Sequence, residues 1–158
     1  NDTAPTNQVF SVDGGNGEPK VNQDAATYVA YCFTDIQGYS KFGSYVGNAS
    51  SDGTFVYLGF KPSWLMVKRE DSAQHWVVYD NKRNNDSPAG NNYIDRLVYP
   101  DATDAEVDTG GSLWVDFLSN GFKMRGNHAA SNGSGGHVYA AFAEHPFVSS
   151  EGVPTTAR

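Results

Sequence analysis

Histidines and a run of acidic residues are the side chains of this sequence that could bind a metal ion. The four histidines are His75, His128, His137 and His145. No two of them stand at a spacing that lets neighbouring residues share a metal. The acidic run over residues 101–108 lacks the central glycine and the final glutamate of a calcium-binding loop. We therefore predict no metal site and no cofactor.

Catalytic motifs do not point to an enzyme. The nucleophile motif G-x-S-x-G and the phosphate-binding motif G-x-x-x-x-G-K-[ST] are both missing from the sequence. Two acids across one cleft could still cleave a polysaccharide. The acids placed beside apolar strand residues are Asp80, Asp95 and Asp116. Ion pairs explain these acids better, with Lys82, Arg83 and Arg96 as partners. We predict no enzymatic activity and keep polysaccharide cleavage as the remote alternative.

Two polar tracts, residues 81–93 and 126–136, could instead bind a ligand. Both are rich in asparagine, serine and glycine, and loops of this kind gather at the ends of β-sandwiches, where binding residues often lie. Amide and hydroxyl groups beside an aromatic ring can hydrogen-bond to a sugar and stack on it. The candidate ligand-binding residues are Asn91, Asn92, Tyr93, Asn127 and His128. The alternative is that these residue types serve only the turns.

Charge and composition exclude several classes of partner. The 158 residues carry a net charge of −7, and nucleic-acid binding needs a basic patch. No apolar run approaches the ~18 residues of a membrane span. We therefore predict neither a nucleic-acid partner nor membrane insertion. The 17 glycines and the aromatic content of 13% favour an all-β fold.

The stretch over residues 59–80 is predicted to be the central β-hairpin. Two apolar runs, 59–69 and 76–80, are separated by a short polar segment. Their apolar positions are nearly continuous, which is typical of strands covered on both faces. Trp64 and Trp76 are expected to bury large areas in the core.

Further strands are predicted around this hairpin. They cover residues 10–12, 28–33, 54–58, 93–99, 113–118, 122–124 and 137–143. Asn120-Gly121 is the strongest short signal for a hairpin turn, and Leu113, Val115 and Phe117 are expected to face one side. Residues 35–48 are predicted to be extended and interrupted by glycines. One short helix at most is expected, over residues 101–108.

The fold class predicted from these elements is an antiparallel β-sandwich with long Gly/Asn-rich loops. We assign residues 1–8 to a linker, 9–148 to a single domain and 149–158 to a tail. The segment over residues 10–31 is similar in pattern to residues 122–142. Either this similarity is general to Gly-rich hairpins, or it marks a repeated unit. In the second case the leading segment is a strand pair that mirrors the closing pair, or residues 9–34 end a preceding repeat. The lone Cys32 is expected to be a small buried apolar residue, and the start at Asn1 suggests a fragment or a processed product.

The order and spacing of several segments resemble a domain of structural proteins of tailed phages, notably marine ones. The similarity covers roughly residues 9–147. The segments that carry it are YVAYCF at 28–33, GYSKFGSYVGN at 38–48, GFKPSWLMVK at 59–68, FLSNGFK at 117–123 and YAAFAEHPF at 139–147. The last residues, 152–158, are also similar to the C-termini of such proteins. Because the shared residues are mostly aromatic residues, glycines and apolar strand positions, the resemblance implies a common fold and assigns no active site. The fold that it implies is a β-sandwich of jelly-roll or concanavalin-like type.

The resemblance implies a virion structural protein exposed on the particle surface. The chain would be the C-terminal domain of a tail fibre or related appendage, displayed for attachment to a host-surface glycan. Its expected partners are further copies of itself, with a trimer as the first choice, and other virion proteins. The alternative is a capsid-decorating or scaffolding module that binds no ligand.

Overall fold

The computed structural model describes residues 6, 8–12, 23, 25–83 and 93–147. The chain divides into two compact units, Asn1–Phe33 and Thr34–Arg158. Every strand and the one short helix of the described residues lie in the second unit. The candidate site is therefore built within this second unit.

The described residues of the second unit form ten strands and one short helix. The elements are β1 (Ser40–Val46), β2 (Phe55–Tyr57), β3 (Pro62–Arg69), β4 (Val77–Asp80), β5 (Tyr93–Ile94), β6 (Arg96–Val98), β7 (Val107–Asp108), β8 (Val115–Leu118), β9 (Gly121–Met124), α1 (Ala129–Asn132) and β10 (Gly136–Ala143). Strand pairing is antiparallel throughout.

The strands form two sheets that share one apolar core. One sheet has six strands in the order β1-β10-β3-β4-β6-β7, and the other has four in the order β2-β9-β8-β5. Leu65, Val67 and Tyr79 of the larger sheet belong to the same buried cluster as Val115 and Phe122 of the smaller one. This all-β arrangement of two layers confirms the predicted fold class.

The central hairpin and the hairpin of the smaller sheet agree with the sequence-based predictions. β3 pairs with β4, and β8 pairs with β9 on either side of Ser119-Asn120. Leu113, Val115 and Phe117 are all buried, as the alternation predicted. Gly121 is not part of the two-residue turn but is the first residue of β9. A side chain at this position would clash with the Val56 carbonyl, so the position requires glycine.

Several other predictions were wrong. Residues 10–12 and 28–33 form no strand, so they do not mirror the closing strands, and Cys32 is exposed rather than buried. The expected maximum of one short helix holds for the described residues, but this helix is α1, in the Gly-rich segment before β10. Residues 101–108 instead lead through a turn into β7. Trp64 and Trp76 are largely but not fully buried and do not belong to the core cluster. In β3 the alternation turns Leu65 and Val67, rather than Trp64, toward the core.

The run over residues 93–99 is divided between the two sheets. β5 pairs with β8 in the smaller sheet, whereas β6 pairs with β4 and β7 in the larger one. Asp95 lies between the two strands, and its carbonyl accepts hydrogen bonds from Thr109 N at 3.3 Å and Thr109 Oγ1 at 3.1 Å. This crossing places Tyr93 on the smaller sheet.

Candidate functional site

A row of aromatic and charged side chains crosses the outer face of the four-stranded sheet. In the strand registers, Phe55 is opposite Lys123, Lys123 is opposite Asp116, and Asp116 is opposite Tyr93. Their chain neighbours on β2, β8, β9 and β5 are buried in the shared core. Because side chains alternate between the two faces of a strand, these four side chains share the opposite, outward face. We call this set the outer row.

Tyr93 is held in place by a stacked indole. Its ring lies 5.0 Å from that of Trp114, with 24° between the ring planes. Gly111 packs against the same indole and has a φ of +102°. A Cβ on Gly111 would come within 2.2 Å of Trp114 Cζ2. The Trp114 Nε1 is buried without a hydrogen-bond partner among the described residues. This packing fixes an aromatic surface at one end of the outer row.

Ion pairs connect the charged members of the outer row to neighbouring residues. Lys123 Nζ lies 2.5 Å from Asp52 Oδ1, and Arg125 Nε lies 3.4 Å from Asp116 Oδ2. Partial burial raises the pKa of the Asp116 carboxyl, although the two nearby cations oppose this shift. The centre of the row therefore presents hydrogen-bond donors and acceptors together, between aromatic rings at its two ends.

A groove lies next to the outer row. It has a volume of about 350 Å³ and is lined by residues 35–38, 40–41 and 57–60. Tyr57 lines the groove and lies on the same outward face of β2 as Phe55 of the outer row, two residues further along the strand. An aromatic face and a groove thus meet at the edge strand β2.

The predicted binding residues have different settings. Asn91 and Asn92 lie outside the described residues. Tyr93 is part of the outer row. Asn127 is exposed between β9 and α1. His128 is the N-cap of α1, where its Nδ1 accepts a hydrogen bond from Ala130 N at 3.1 Å.

Two of the three acids considered for catalysis form ion pairs. Asp80 pairs with Arg83 at 2.6 Å, and Asp116 pairs with Arg125 at 3.4 Å. Asp95 lies at the crossing between the sheets, where its backbone carbonyl accepts from Thr109. Arg96 pairs with Asp108 at 3.3 Å. Local ion pairs thus account for Asp80 and Asp116, as the sequence suggested, with Arg125 as the unforeseen partner.

A second polar cluster is buried below α1. Tyr45, Tyr79, Ser131, Asn132 and His137 are all largely or fully inaccessible. The Tyr45 hydroxyl donates to the Ser131 carbonyl, and the Tyr45 ring stacks on His137 at 5.0 Å. Burial raises the pKa values of both tyrosines. Because a ligand could not reach these groups, we interpret this cluster as structural.

Most residues of the outer row were not among the ligand-binding residues predicted from the sequence. Alternation in β8 and β9 does place Asp116 and Lys123 on the outward face, so the signal was present for these two residues. The pairing of β2 with β9 joins Phe55 to Lys123 across a long stretch of chain, and no local pattern encodes it. The stacking of Tyr93 on Trp114 depends on the crossing at Asp95, and no local pattern in the sequence predicts it either.

Among the described residues, no group of three or more histidine, cysteine, aspartate or glutamate side chains could hold a metal ion. In that part of the chain, no helix is long and apolar enough to cross a membrane.

The fold and the outer row define an all-β domain of two antiparallel sheets with an aromatic and charged outer face. The chain belongs to the family DUF7483, a domain of unknown function whose model matches residues 1–146. No curated protein and no solved structure matches the chain significantly.

Proposed function

We propose that this chain is the C-terminal domain of a phage tail fibre or related appendage, exposed on the virion, and that it attaches to a host-surface glycan. The observation that carries the binding role is the outer row, with Tyr93 stacked on Trp114 at 5.0 Å at one end and Phe55 at the other. The assignment to a phage appendage rests on the segment order described above. The outer row supplies the surface through which such a domain would act.

The chemistry of the outer row fits a sugar polymer. One face of a pyranose ring is apolar and packs against aromatic rings, while its hydroxyl groups need donors and acceptors. Asp116 offers an acceptor and Lys123 a donor, between the aromatic ends of the row. The row is open and crosses a whole sheet, so it suits an extended chain of sugars better than a small enclosed molecule.

The binding role is tested by presenting the full chain to an array of capsular and lipopolysaccharide glycans from bacterial hosts. We expect binding by the wild type and a loss of about tenfold for Tyr93→Ala, because one stacking contact is removed. The matched control is Tyr99→Ala, which removes another paired ring, packed in a tilted arrangement 4.9 Å from His75 just after β6. Absence of wild-type binding to every host glycan would contradict an adhesive role.

The alternative is a decorating or scaffolding module that binds no ligand. Large apolar side chains exposed in the first unit favour it, since contacts with neighbouring virion proteins would cover them. Examples are Val29, 78% exposed, and Tyr31, 83% exposed. Locating the domain in a virion density map separates the two proposals, because a position on the capsid away from the tail would contradict the appendage assignment.

A further inference from the structure

The groove beside the outer row contains the chemical groups that a single sugar ring needs. Its volume of about 350 Å³ is at the small end of the range of about 300–1,000 Å³ in which small molecules bind. Asp35, Gln37, Lys41 and Tyr57 supply its charged, amide and aromatic groups. All four residues belong to the second unit.

Tyr57 gives the groove an accessible aromatic wall. The residue is 61% exposed, so its ring is open to a ligand. Gly59 lies at its edge with a φ of +82°, and a Cβ there would be 3.6 Å from the Tyr57 hydroxyl. Lys41 Nζ lies 5.9 Å from the ring centroid. The ammonium group and the ring therefore face the same small space.

Asp35 is oriented by the backbone of β1. Its Oδ1 accepts a hydrogen bond from Phe42 N at 2.8 Å, so the carboxylate has a defined position and a second oxygen for other contacts. Lys41 has no carboxylate partner within ion-pair distance among the described residues. One negative and one positive group thus line the groove.

We propose that the groove is the subsite for one neutral pyranose ring of the glycan, an inference that rests on the proposed function. Two neighbouring hydroxyl groups of such a ring donate to Asp35 and accept from Lys41, while the apolar face of the ring packs on Tyr57. A carboxylated sugar would gain from Lys41 but would meet the charge of Asp35, so the balance of charge selects a neutral ring. Gln37 provides a further amide at the rim.

Titration of the ¹⁵N-labelled full chain with methyl glucoside, methyl galactoside and methyl mannoside tests this subsite. We expect at least one of the three to shift amide signals of residues 35–41 and 57–60 in a saturable way. Glucuronate is the acidic comparison and is expected to bind more weakly than the best of the neutral sugars. Absence of saturable shifts with all three, shifts confined to residues elsewhere, or tighter binding of glucuronate would overturn the proposal.

Two substitutions assign the roles within the groove. Tyr57→Ala and Asp35→Asn should each weaken binding of the best methyl glycoside about tenfold. Asparagine keeps an oxygen that can accept from Phe42 N, so Asp35→Asn should retain the fold of the strand. Lys41→Ala tests the groove lysine, and Lys82→Ala is its control, because Lys82 is exposed after β4 and does not line the groove. Unchanged affinity of Tyr57→Ala, with a retained melting temperature, would overturn the proposal.

The two proposals fail in distinguishable ways. Array binding that is lost in Tyr93→Ala but unchanged in Tyr57→Ala would leave the adhesive role intact and overturn the groove subsite. Saturable shifts in the groove without binding to any host glycan would retain the subsite for a neutral sugar and overturn host attachment.

Discussion

At the scale of single residues, Asn132 joins the remote segment at residues 48–50 to the nearby Gly126. It is fully buried, and its amide group donates to Asn48 Oδ1 at 3.0 Å, the Ser50 carbonyl at 2.8 Å and the Gly126 carbonyl at 2.9 Å. Its Oδ1 accepts from Asn48 N at 3.2 Å. Because an amide has only two hydrogens, one of them is shared between two acceptors. Asn132 therefore ties the loop after β1 to the segment before α1.

We expect Asn132→Ala to lower the free energy of unfolding by about 3 kcal/mol, since it leaves several buried polar groups without partners. Urea unfolding measures this loss. The control is Asn127→Ala, which removes an exposed asparagine from the same connection and should change stability by less than about 0.5 kcal/mol. Equal effects of the two substitutions would contradict the role given to Asn132.

His137 makes the stability of the domain depend on pH. The residue is fully buried, and its Nδ1 lies 3.0 Å from the Gly135 carbonyl. Burial lowers the pKa of the imidazole from its ordinary value of 6.5, although hydrogen bonding to the backbone of Gly135 and Ala129 opposes this shift. Nearby Arg69 lowers the pKa further, and Asp71 opposes it. The unfolded chain therefore takes up the proton first as the pH falls. The stability contributed by neutral His137 is present above pH 6.5 and is lost as the pH falls through the folded pKa.

We expect the wild type to lose more stability than His137→Gln between about pH 7.5 and about pH 5.5, because glutamine does not titrate. Urea unfolding of both proteins across this interval gives the two slopes. The exposed histidines remain in both chains, so their contribution cancels in the comparison. Parallel slopes would show that protonation of His137 is not linked to folding.

At the scale of elements, local patterns predicted the hairpins but not the way in which the strands divide between sheets. The alternation of Leu113, Val115 and Phe117 identified a core-facing strand because neighbouring residues set the period. The run over residues 93–99 looked like one strand, since apolar periodicity does not record which sheet a strand joins. Only the pairing of β5 with β8 and of β6 with β4 separates its two halves.

The candidate site, too, was only partly predictable from local sequence patterns. Tyr93 was identified because an aromatic residue beside polar loops is a local signal. Phe55 and Lys123 become neighbours only through the pairing of β2 with β9, which closes a long loop of chain. The helix α1 was missed because Ala129–Asn132 is short and lies in a glycine-rich segment, where its N-cap is a histidine rather than the more usual serine, threonine or aspartate.

Two side chains from the segments before and after β1 bond to the backbone of this edge strand and protect it from pairing with a further strand. Strand β1 pairs only with β10 in the larger sheet, and such an edge can recruit a further strand. The Asp35 carboxylate accepts from Phe42 N at 2.8 Å, and Thr54 Oγ1 donates to the Val46 carbonyl at 2.8 Å. These two contacts occupy backbone groups that another strand would need.

We expect Asp35→Ala combined with Thr54→Val to increase association of the chain, because both backbone groups become available. Sedimentation velocity over a range of concentrations measures the change relative to the wild type. Asp35→Asn combined with Thr54→Ser is the matched control, since it retains an acceptor and a donor. If both double variants associate to the same extent, the two contacts do not protect the edge.

At the scale of the whole molecule, the buried core lies in the second unit, whereas large apolar side chains are exposed in both units. The buried cluster runs from Tyr45 to Ala141 and draws only on the second unit. Large apolar side chains are exposed in the first unit, at Val9, Phe10, Val12, Tyr28, Val29, Tyr31 and Phe33. Exposed apolar groups in such number are costly in water unless another molecule covers them.

We expect a chain that starts at Thr34 to fold with its core intact and to be monomeric, whereas the full chain forms an oligomer through residues 1–33. Near-ultraviolet circular dichroism and cooperative unfolding report the core, and light scattering after size exclusion reports the mass. The full chain carrying Val29→Ser and Tyr31→Ser is the matched control and should lose association while retaining its unfolding transition. An oligomer of equal size in the shortened chain would place the contacts between copies in the second unit, and failure of that chain to fold would show that its core needs the first unit.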